Sequence, residues 1–114
     1  MPELPEVQTV VNYIKPLCIG KKLIRVKPVW SKVLHNFNEG FNSDFKKNEV
    51  RDVYRRAKFI IIAFEDYILA IHLRMTGKLY MKNNKFQSKH ITAVFEFEGQ
   101  DSLYFEDVRK FGRV

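Results

Sequence analysis

The feature that most limits the fold of this chain is a series of seven short β-type segments that follows one amphipathic stretch. The segments are rich in β-branched and aromatic residues, and turn-forming residues separate most of them. They cover residues 22–29, 49–54, 59–64, 67–73, 79–82, 91–97 and 102–105. Short strands at such spacing are typical of antiparallel sheets that pack on one another. The sequence therefore predicts an α+β, β-rich fold, an antiparallel β-sandwich or flattened barrel with helix cover.

The amphipathic stretch predicts an N-terminal helix over residues 5–15. Its apolar residues recur at three- and four-residue steps, as one helical face requires; they are Leu4, Val7, Val10, Val11 and Ile14. Pro5 suits the first helical turn, where its missing N–H has no partner to lose. We expect Pro16 and Gly20 to end the helix. Residues 38–47 are ambiguous and allow a second short helix.

The sequence predicts two of the connections between strands. The run from Phe59 to Phe64 is continuously apolar, as in a buried strand, and Glu65-Asp66 then predicts a turn into the next segment. Gly99-Gln100-Asp101 predicts the loop of a hairpin between the last two strands.

Length and charge limit the function. A chain of 114 residues makes one small domain, and its net charge of +7 favours a polyanionic partner such as DNA or RNA. The basic residues are densest at Arg51, Arg55, Arg56 and Lys58. A merely solvated basic surface is the alternative interpretation of this charge.

Cysteine content and hydropathy indicate the cellular setting. Cys18 is the single cysteine, so neither an internal disulfide nor a cysteine-based zinc cluster can form within this chain. No apolar run is long enough to span a membrane, and the N-terminus lacks the pattern of a secretory signal. We therefore expect a reduced, cytosolic protein.

Five collinear motifs resemble one family. The chain opens with Met-Pro-Glu-Leu-Pro-Glu-Val, and further matches fall at residues 55–59, 72–77, 89–90 and 107–112. Together they cover the chain nearly end to end. They resemble the N-terminal domain of the formamidopyrimidine-DNA glycosylases. The related endonuclease VIII group shares Pro-Glu at the start, but the longer opening motif is more similar to the formamidopyrimidine branch.

The resemblance implies a base-excision repair enzyme, a DNA glycosylase and AP lyase. Its substrate would be double-stranded DNA containing oxidised purines (8-oxoguanine, formamidopyrimidines) or abasic sites. The reaction would pass through a Schiff base on an N-terminal proline, followed by β-elimination. The resemblance also implies a monomer in the bacterial cytoplasm, associated with the nucleoid. Zinc is expected only in a C-terminal zinc finger, and no cofactor within this chain.

Pro2 can perform this chemistry once Met1 is removed. A terminal amine has a pKa of about 7.7–8.0, against about 10.4 for lysine, so much more of it is the neutral nucleophile near neutral pH. A secondary amine condenses directly to a charged iminium, which acidifies the adjacent C2′ proton. If Met1 were retained, the proline nitrogen would be an unreactive amide. The alternative is that Pro2 is only a second residue that favours Met removal.

The resemblance assigns roles to three further charged residues. Glu3 would protonate the deoxyribose ring oxygen as the base departs, and Glu6 would orient the amine from behind. Both could instead be ordinary acidic residues at the positive end of a helix dipole. Lys58 would contact phosphate and supply a proton during β-elimination, or else be a common surface lysine.

A second group would bind DNA. In the family, residues at the positions of Met75, Arg109 and Phe111 fill the gap left by an everted base, which otherwise costs a few kcal/mol. Core packing is the alternative for Met75 and Phe111. His90 would contact the DNA backbone, although a lone histidine is more often structural. Arg56 is a further candidate DNA contact.

The chain departs from the family pattern at four positions and in extent. Gln8 and Thr92 stand where Glu and a second His are common, and Val108 and Lys110 replace Pro and Arg. The loss of the proline is expected to loosen the loop that carries Arg109. Residues 111–114 are typical of the start of a strand, so we expect a fragment lacking the helix–two-turns–helix and zinc-finger domains. Such a fragment should bind DNA weakly and be feeble or inactive.

Two other functional classes remain open from the sequence. A non-catalytic nucleic-acid binding module would keep the fold and the charge but form no covalent adduct with DNA. A small β-rich protein-interaction domain would not bind DNA at all.

Overall fold

A computed structural model describes residues 4–28, 49–65, 67–73, 77–83, 87–99 and 101–107. The elements are α1 (Leu4–Cys18), β1 (Leu23–Pro28), β2 (Asp52–Arg56), β3 (Phe59–Ala63), β4 (Ile68–His72), β5 (Gly77–Asn83), β6 (Ile91–Phe97) and β7 (Asp101–Asp107). The strands form a four-stranded sheet in the order β1-β6-β7-β5 and a three-stranded sheet in the order β2-β3-β4. All neighbouring strands are antiparallel. The α+β, β-rich prediction is confirmed, and residues 38–47 lie outside the described part.

The prediction that Pro16 ends the helix is wrong. The helix continues through Pro16 to Cys18. A proline removes only one helical hydrogen bond, and here Cys18 is fully buried in the core, which favours the extra turn. The chain then leaves the helix at Gly20, whose φ of 85° lies in the left-handed region that favours glycine. Gly20 therefore acts as predicted, and Pro16 does not.

Strand positions agree with the predicted segments, but several ends differ. β5 and β7 are longer than predicted because they pair from Gly77↔Asp107 to Asn83↔Asp101, and this pairing includes polar end residues. β2 begins later than predicted, since Glu49 makes only an isolated bridge to Lys22. β6 and β7 form the predicted hairpin, and Gly99 adopts a φ of 96° in its loop.

One hydrophobic core joins the helix to both sheets. The predicted helical face is confirmed at Val7, Val11 and Ile14, which are buried. The sheets contribute alternating residues, as a pleated strand with one buried face does; these include Ile60, Ile62, Leu79, Phe95, Leu103 and Phe105. Burial also raises the pKa of the Cys18 thiol to about 12, so this side chain is a protonated core residue rather than a reactive thiol.

The helix α1 runs antiparallel to β2, and this sets the position of its N-terminal end. Near its C-terminus, the Lys15 ammonium lies 3.4 Å from an Asp52 carboxylate oxygen. Near its N-terminus, Gln8 accepts a hydrogen bond from Arg55 at 3.3 Å. The seven residues from Gln8 to Lys15 rise about 10 Å along the helix, and the three residues from Asp52 to Arg55 span about 10 Å along β2. These equal spans are consistent with a helix axis that lies alongside the strand, with the two chain directions opposed. The N-terminal end of α1 therefore faces the turn that follows β2.

No helix among the described residues is long and apolar enough to cross a membrane.

Candidate active site

The turn between β2 and β3 carries Lys58. Arg56 pairs with Phe59, which leaves Ala57 and Lys58 as a two-residue connection. Ala57 has a φ of 52°, in the left-handed region that side chains with a Cβ rarely adopt. Lys58 is half-buried directly before β3. The tight turn thus holds Lys58 at the end of the hairpin.

The strain at Ala57 leads to a stability prediction. Ala57→Gly should stabilise the domain by about 0.5–1 kcal/mol, because glycine adopts this φ without steric cost. Urea unfolding monitored by circular dichroism measures the change. Ala70→Gly in β4 is the matched control and should destabilise the domain by a similar amount, since glycine there only adds chain entropy. Equal destabilisation by both substitutions would contradict a strained turn.

The two adjacent arginines have different surroundings. Arg55 lies two residues after the buried Val53, on the side of β2 that faces α1, and it is half-buried. Its guanidinium donates to the Gln8 side chain and to the Ala57 carbonyl, the latter at 2.8 Å. Arg56 is exposed. The sequence motif could not separate these roles, and the structure does so.

The N-terminal residues predicted to react precede this part of α1. Pro2 and Glu3 lie outside the described residues, so their positions remain predictions. Glu6 is exposed in the first turn of the helix. Leu4 begins the helix about 6 Å before Gln8 along its axis. Residues 2 and 3 therefore precede, along the chain, the end of α1 that faces the turn with Lys58.

Gly77, at the start of β5, lies close to Leu73 after β4. The Gly77 N–H donates to the Leu73 carbonyl at 3.0 Å. A Cβ on Gly77 would lie 2.9 Å from both Leu73 Cα and Phe105 Cε1, and still closer to the Leu73 carbonyl oxygen. Only glycine fits this position. Met75 itself lies outside the described residues.

The register of β5 and β7 brings the start of one strand beside the end of the other. Gly77 at the start of β5 pairs with Asp107 at the end of β7. In sequence, Met75 comes two residues before Gly77, and Arg109 and Phe111 come shortly after Asp107. All three lie outside the described residues, so their placement stays a prediction.

His90 belongs to the same end of the sheet. The Asp107 N–H donates to the His90 carbonyl at 2.9 Å, and Ser88 Oγ donates to Glu106 at 2.9 Å. Burial and then the nearby Glu106 carboxylate raise the pKa of Tyr80 to about 12, so Tyr80 stays protonated and hydrogen-bonded to Glu106. The half-buried His90 is thus tied to the strand that leads to Arg109.

His72 is a residue that sequence reasoning did not single out. It ends β4, pairs with Phe59 and meets that ring edge-on, with 4.9 Å between ring centroids. Its place in the motif of residues 72–77 was the available signal. The strand register therefore places His72 at the same end of the three-stranded sheet as Lys58.

The described residues contain no group of three or more His, Cys, Asp or Glu side chains that could hold a metal ion.

Comparison with known proteins identifies the domain. The family model described as the formamidopyrimidine-DNA glycosylase N-terminal domain matches residues 1–114. This chain belongs to that family. A formamidopyrimidine-DNA glycosylase of Streptococcus pneumoniae R6 is 37% identical over 115 residues, covering 100% of this chain and 42% of that protein. Its counterpart in Halalkalibacterium halodurans is 39% identical over 118 residues, with 100% and 43% covered.

Solved structures of the family share the fold. The wild-type Lactococcus lactis Fpg (MutM), in complex with DNA containing N7-benzyl-Fapy-dG, aligns with a TM-score of 0.88 and 30% identity. The alignment covers 98% of this chain and 42% of that one. A complex of L. lactis Fpg with abasic-site DNA aligns equally well, at a TM-score of 0.88 and 29% identity. The chain therefore spans about 42% of the length of the relatives that it matches.

One departure from the formamidopyrimidine-DNA glycosylase pattern has a structural explanation. Thr92, where a second histidine is common, is buried and donates from its hydroxyl to the Phe105 carbonyl at 3.2 Å. This threonine satisfies a backbone carbonyl inside the sheet. It is a structural residue in this chain.

Proposed function

We propose that this chain is the N-terminal catalytic domain of a base-excision repair DNA glycosylase and AP lyase that removes oxidised purines. The observation that carries the proposal is the direction of α1. The helix that follows Pro2 and Glu3 lies antiparallel to β2, and its N-terminal end faces the turn that holds Lys58. This arrangement supports a terminal amine and a lysine that act on one deoxyribose.

The proposed reaction begins at the neutral amine of Pro2. Its nitrogen attacks C1′, the bond from C1′ to the damaged base breaks with its electron pair on the base, and the amine proton passes to the departing base. Glu3 protonates the sugar ring oxygen as the ring opens to an iminium. Water then takes a C2′ proton, and the 3′ phosphate leaves with the electron pair of its bond to C3′, which is the β-elimination. Lys58 contacts the DNA phosphate and supplies a proton in this step, while Glu6 orients the amine.

A second set of residues is proposed to bind the DNA. Met75 precedes Gly77 and Arg109 and Phe111 follow Asp107 in sequence, and Gly77 pairs with Asp107, which supports a shared role for these three side chains in filling the gap left by the everted nucleotide. His90 and the exposed Arg56 contact the DNA backbone. Support for this partner comes from the L. lactis relatives, which were solved in complex with DNA containing an abasic site or a formamidopyrimidine lesion.

The complete enzyme would include more than this domain. Family members supply a helix–two-turns–helix domain and a zinc finger that clamp the DNA, and any zinc would bind there. The 114-residue chain alone is proposed to bind DNA weakly and to turn over slowly, as a monomer. Its place would be the bacterial cytoplasm, in association with the nucleoid.

Borohydride trapping tests the proposal. The chain, in excess over a duplex that contains one abasic site, is expected to form a covalent adduct after reduction. The adduct should disappear when Met1 is retained, because the proline nitrogen is then an amide, and it should weaken strongly in Pro2→Gly. Salt-sensitive DNA binding without any adduct would instead indicate a non-catalytic binding module.

A further inference from the structure

We propose that Arg55 is a positioning residue that links the N-terminal helix to the β2–β3 turn and thereby sets the separation between the Pro2 amine and Lys58. This inference rests on the proposed function, and it adds a residue to which no chemical role has been given above.

The contacts of Arg55 join two distant segments of the chain. Nη1 donates to the Ala57 carbonyl at 2.8 Å, and Nε donates to Gln8 Oε1 at 3.3 Å. The guanidinium is planar and rigid, so its two donors hold a fixed relation to each other. Arg55 therefore fixes the position of the β2–β3 turn relative to α1.

One contact lies next to a residue of the proposed reaction, and the other lies near the start of α1. Ala57 directly precedes Lys58 in the turn, and Gln8 lies one helical turn after Leu4, where the helix begins. The other polar contacts of α1 with the sheets lie toward its C-terminal half, where Lys15 lies 3.4 Å from Asp52 and the Met81 N–H donates to the Tyr13 hydroxyl at 3.3 Å. The remaining contact surface is apolar and includes Val7, Val11 and Ile14. Apolar packing is not directional, so it permits small shifts along the helix axis. The polar link at the reactive end restricts such shifts.

The neighbouring arginine offers a contrast within the same motif. Arg56 is exposed, whereas Arg55 is half-buried and directed toward the protein's own backbone and helix. A phosphate contact would require Arg55 to give up these bonds. The structure thus favours positioning for Arg55 and DNA contact for Arg56.

The decisive variant is Arg55→Lys, which keeps the charge but cannot hold both acceptors in one fixed geometry. Single-turnover borohydride trapping at saturating abasic duplex should slow by about 10–100-fold, the scale of a small misplacement of reacting groups. The Kd for the duplex and its salt dependence should stay unchanged. Gln8→Ala should slow trapping in the same way, and the double variant should lose less than the product of the two single losses.

The controls separate positioning from the alternatives. Arg51→Lys, at the other end of β2 beside Glu65, should leave the trapping rate unchanged. An Arg55→Gln variant that lowers the slope of log K against log salt by about one, together with an unchanged saturating rate in Arg55→Lys, would show a phosphate contact and overturn the proposal. A rate loss that follows loss of folded protein in urea titrations would overturn it as well.

Failure of the proposed function can be distinguished from failure of the proposal for Arg55. If the unmodified chain forms no adduct, the activity proposed for this chain fails, and hydrogen exchange then tests the link alone. Arg55→Lys should speed exchange at the amides of Gln8 and Phe59, by roughly tenfold for each 1.4 kcal/mol of lost protection. Unchanged exchange at both amides would refute the link itself.

Discussion

Replacing Gly77 by alanine is expected to destabilise the domain by about 3 kcal/mol, at the upper end of the usual cost of overpacking. The added Cβ would lie 2.9 Å from Leu73 Cα and Phe105 Cε1 and closer still to the Leu73 carbonyl oxygen. Two of these atoms belong to the Leu73 backbone, and the third belongs to a ring in the core, so none can move away cheaply. Urea unfolding and thermal melting measure the loss, which should lower the Tm by more than about 10 °C.

The control for this prediction is the next residue along the strand. Lys78→Ala alters an exposed side chain of β5 and should change stability by no more than about 0.5 kcal/mol. Gly77→Ser should be as damaging as Gly77→Ala, because the Cβ itself causes the clash. Near-native stability of both Gly77 variants would mean that Gly77 does not approach Leu73 and Phe105 as described.

The second large effect is expected at Lys58. Lys58→Ala should slow scission of an abasic duplex by about 100-fold, the lower range for loss of a general acid or base. The lysine is half-buried in the two-residue turn that joins β2 to β3, at the end of the hairpin nearest the N-terminal end of α1. Denaturing gels of single-turnover reactions give the rate, and trapping reports the Schiff base separately.

Two variants define the role of Lys58. Lys58→Arg keeps the positive charge but cannot transfer a proton near neutral pH, so it should retain DNA affinity and still lose scission. Lys82→Ala removes an exposed lysine from β5 and should leave both quantities unchanged. Full scission by Lys58→Arg would reduce the role of Lys58 to phosphate contact.

Much of the fold was predictable because its signals are local. Alternation and β-branched content located all seven strands, and three- and four-residue spacing located the helical face of Val7, Val11 and Ile14. The errors arose where tertiary packing overrides local preference. Pro16 lies within the helix because Cys18, two residues further on, is buried, and β5 and β7 extend through polar residues because each has a paired partner.

The site was less predictable because it depends on register. The motif showed Arg55-Arg56-Ala57-Lys58 as a run of basic residues, but only the pairing of Arg56 with Phe59 places Lys58 in a turn and directs Arg55 toward the helix. His72 was likewise visible in a motif without a role, until strand pairing set it beside Phe59. Spacing along the sequence carries no information on such neighbours across strands.

The central claim is that the Pro2 nitrogen is the nucleophile, and peptide mapping of the reduced adduct tests it most directly. The trapped protein–DNA complex is digested, and mass spectrometry locates the cross-link. The account predicts a modified N-terminal peptide that begins at Pro2, with the deoxyribose remnant on its nitrogen. A cross-link on the side chain of Lys58 or any other lysine, or an N-terminal peptide that still carries Met1 in the adduct, would contradict it.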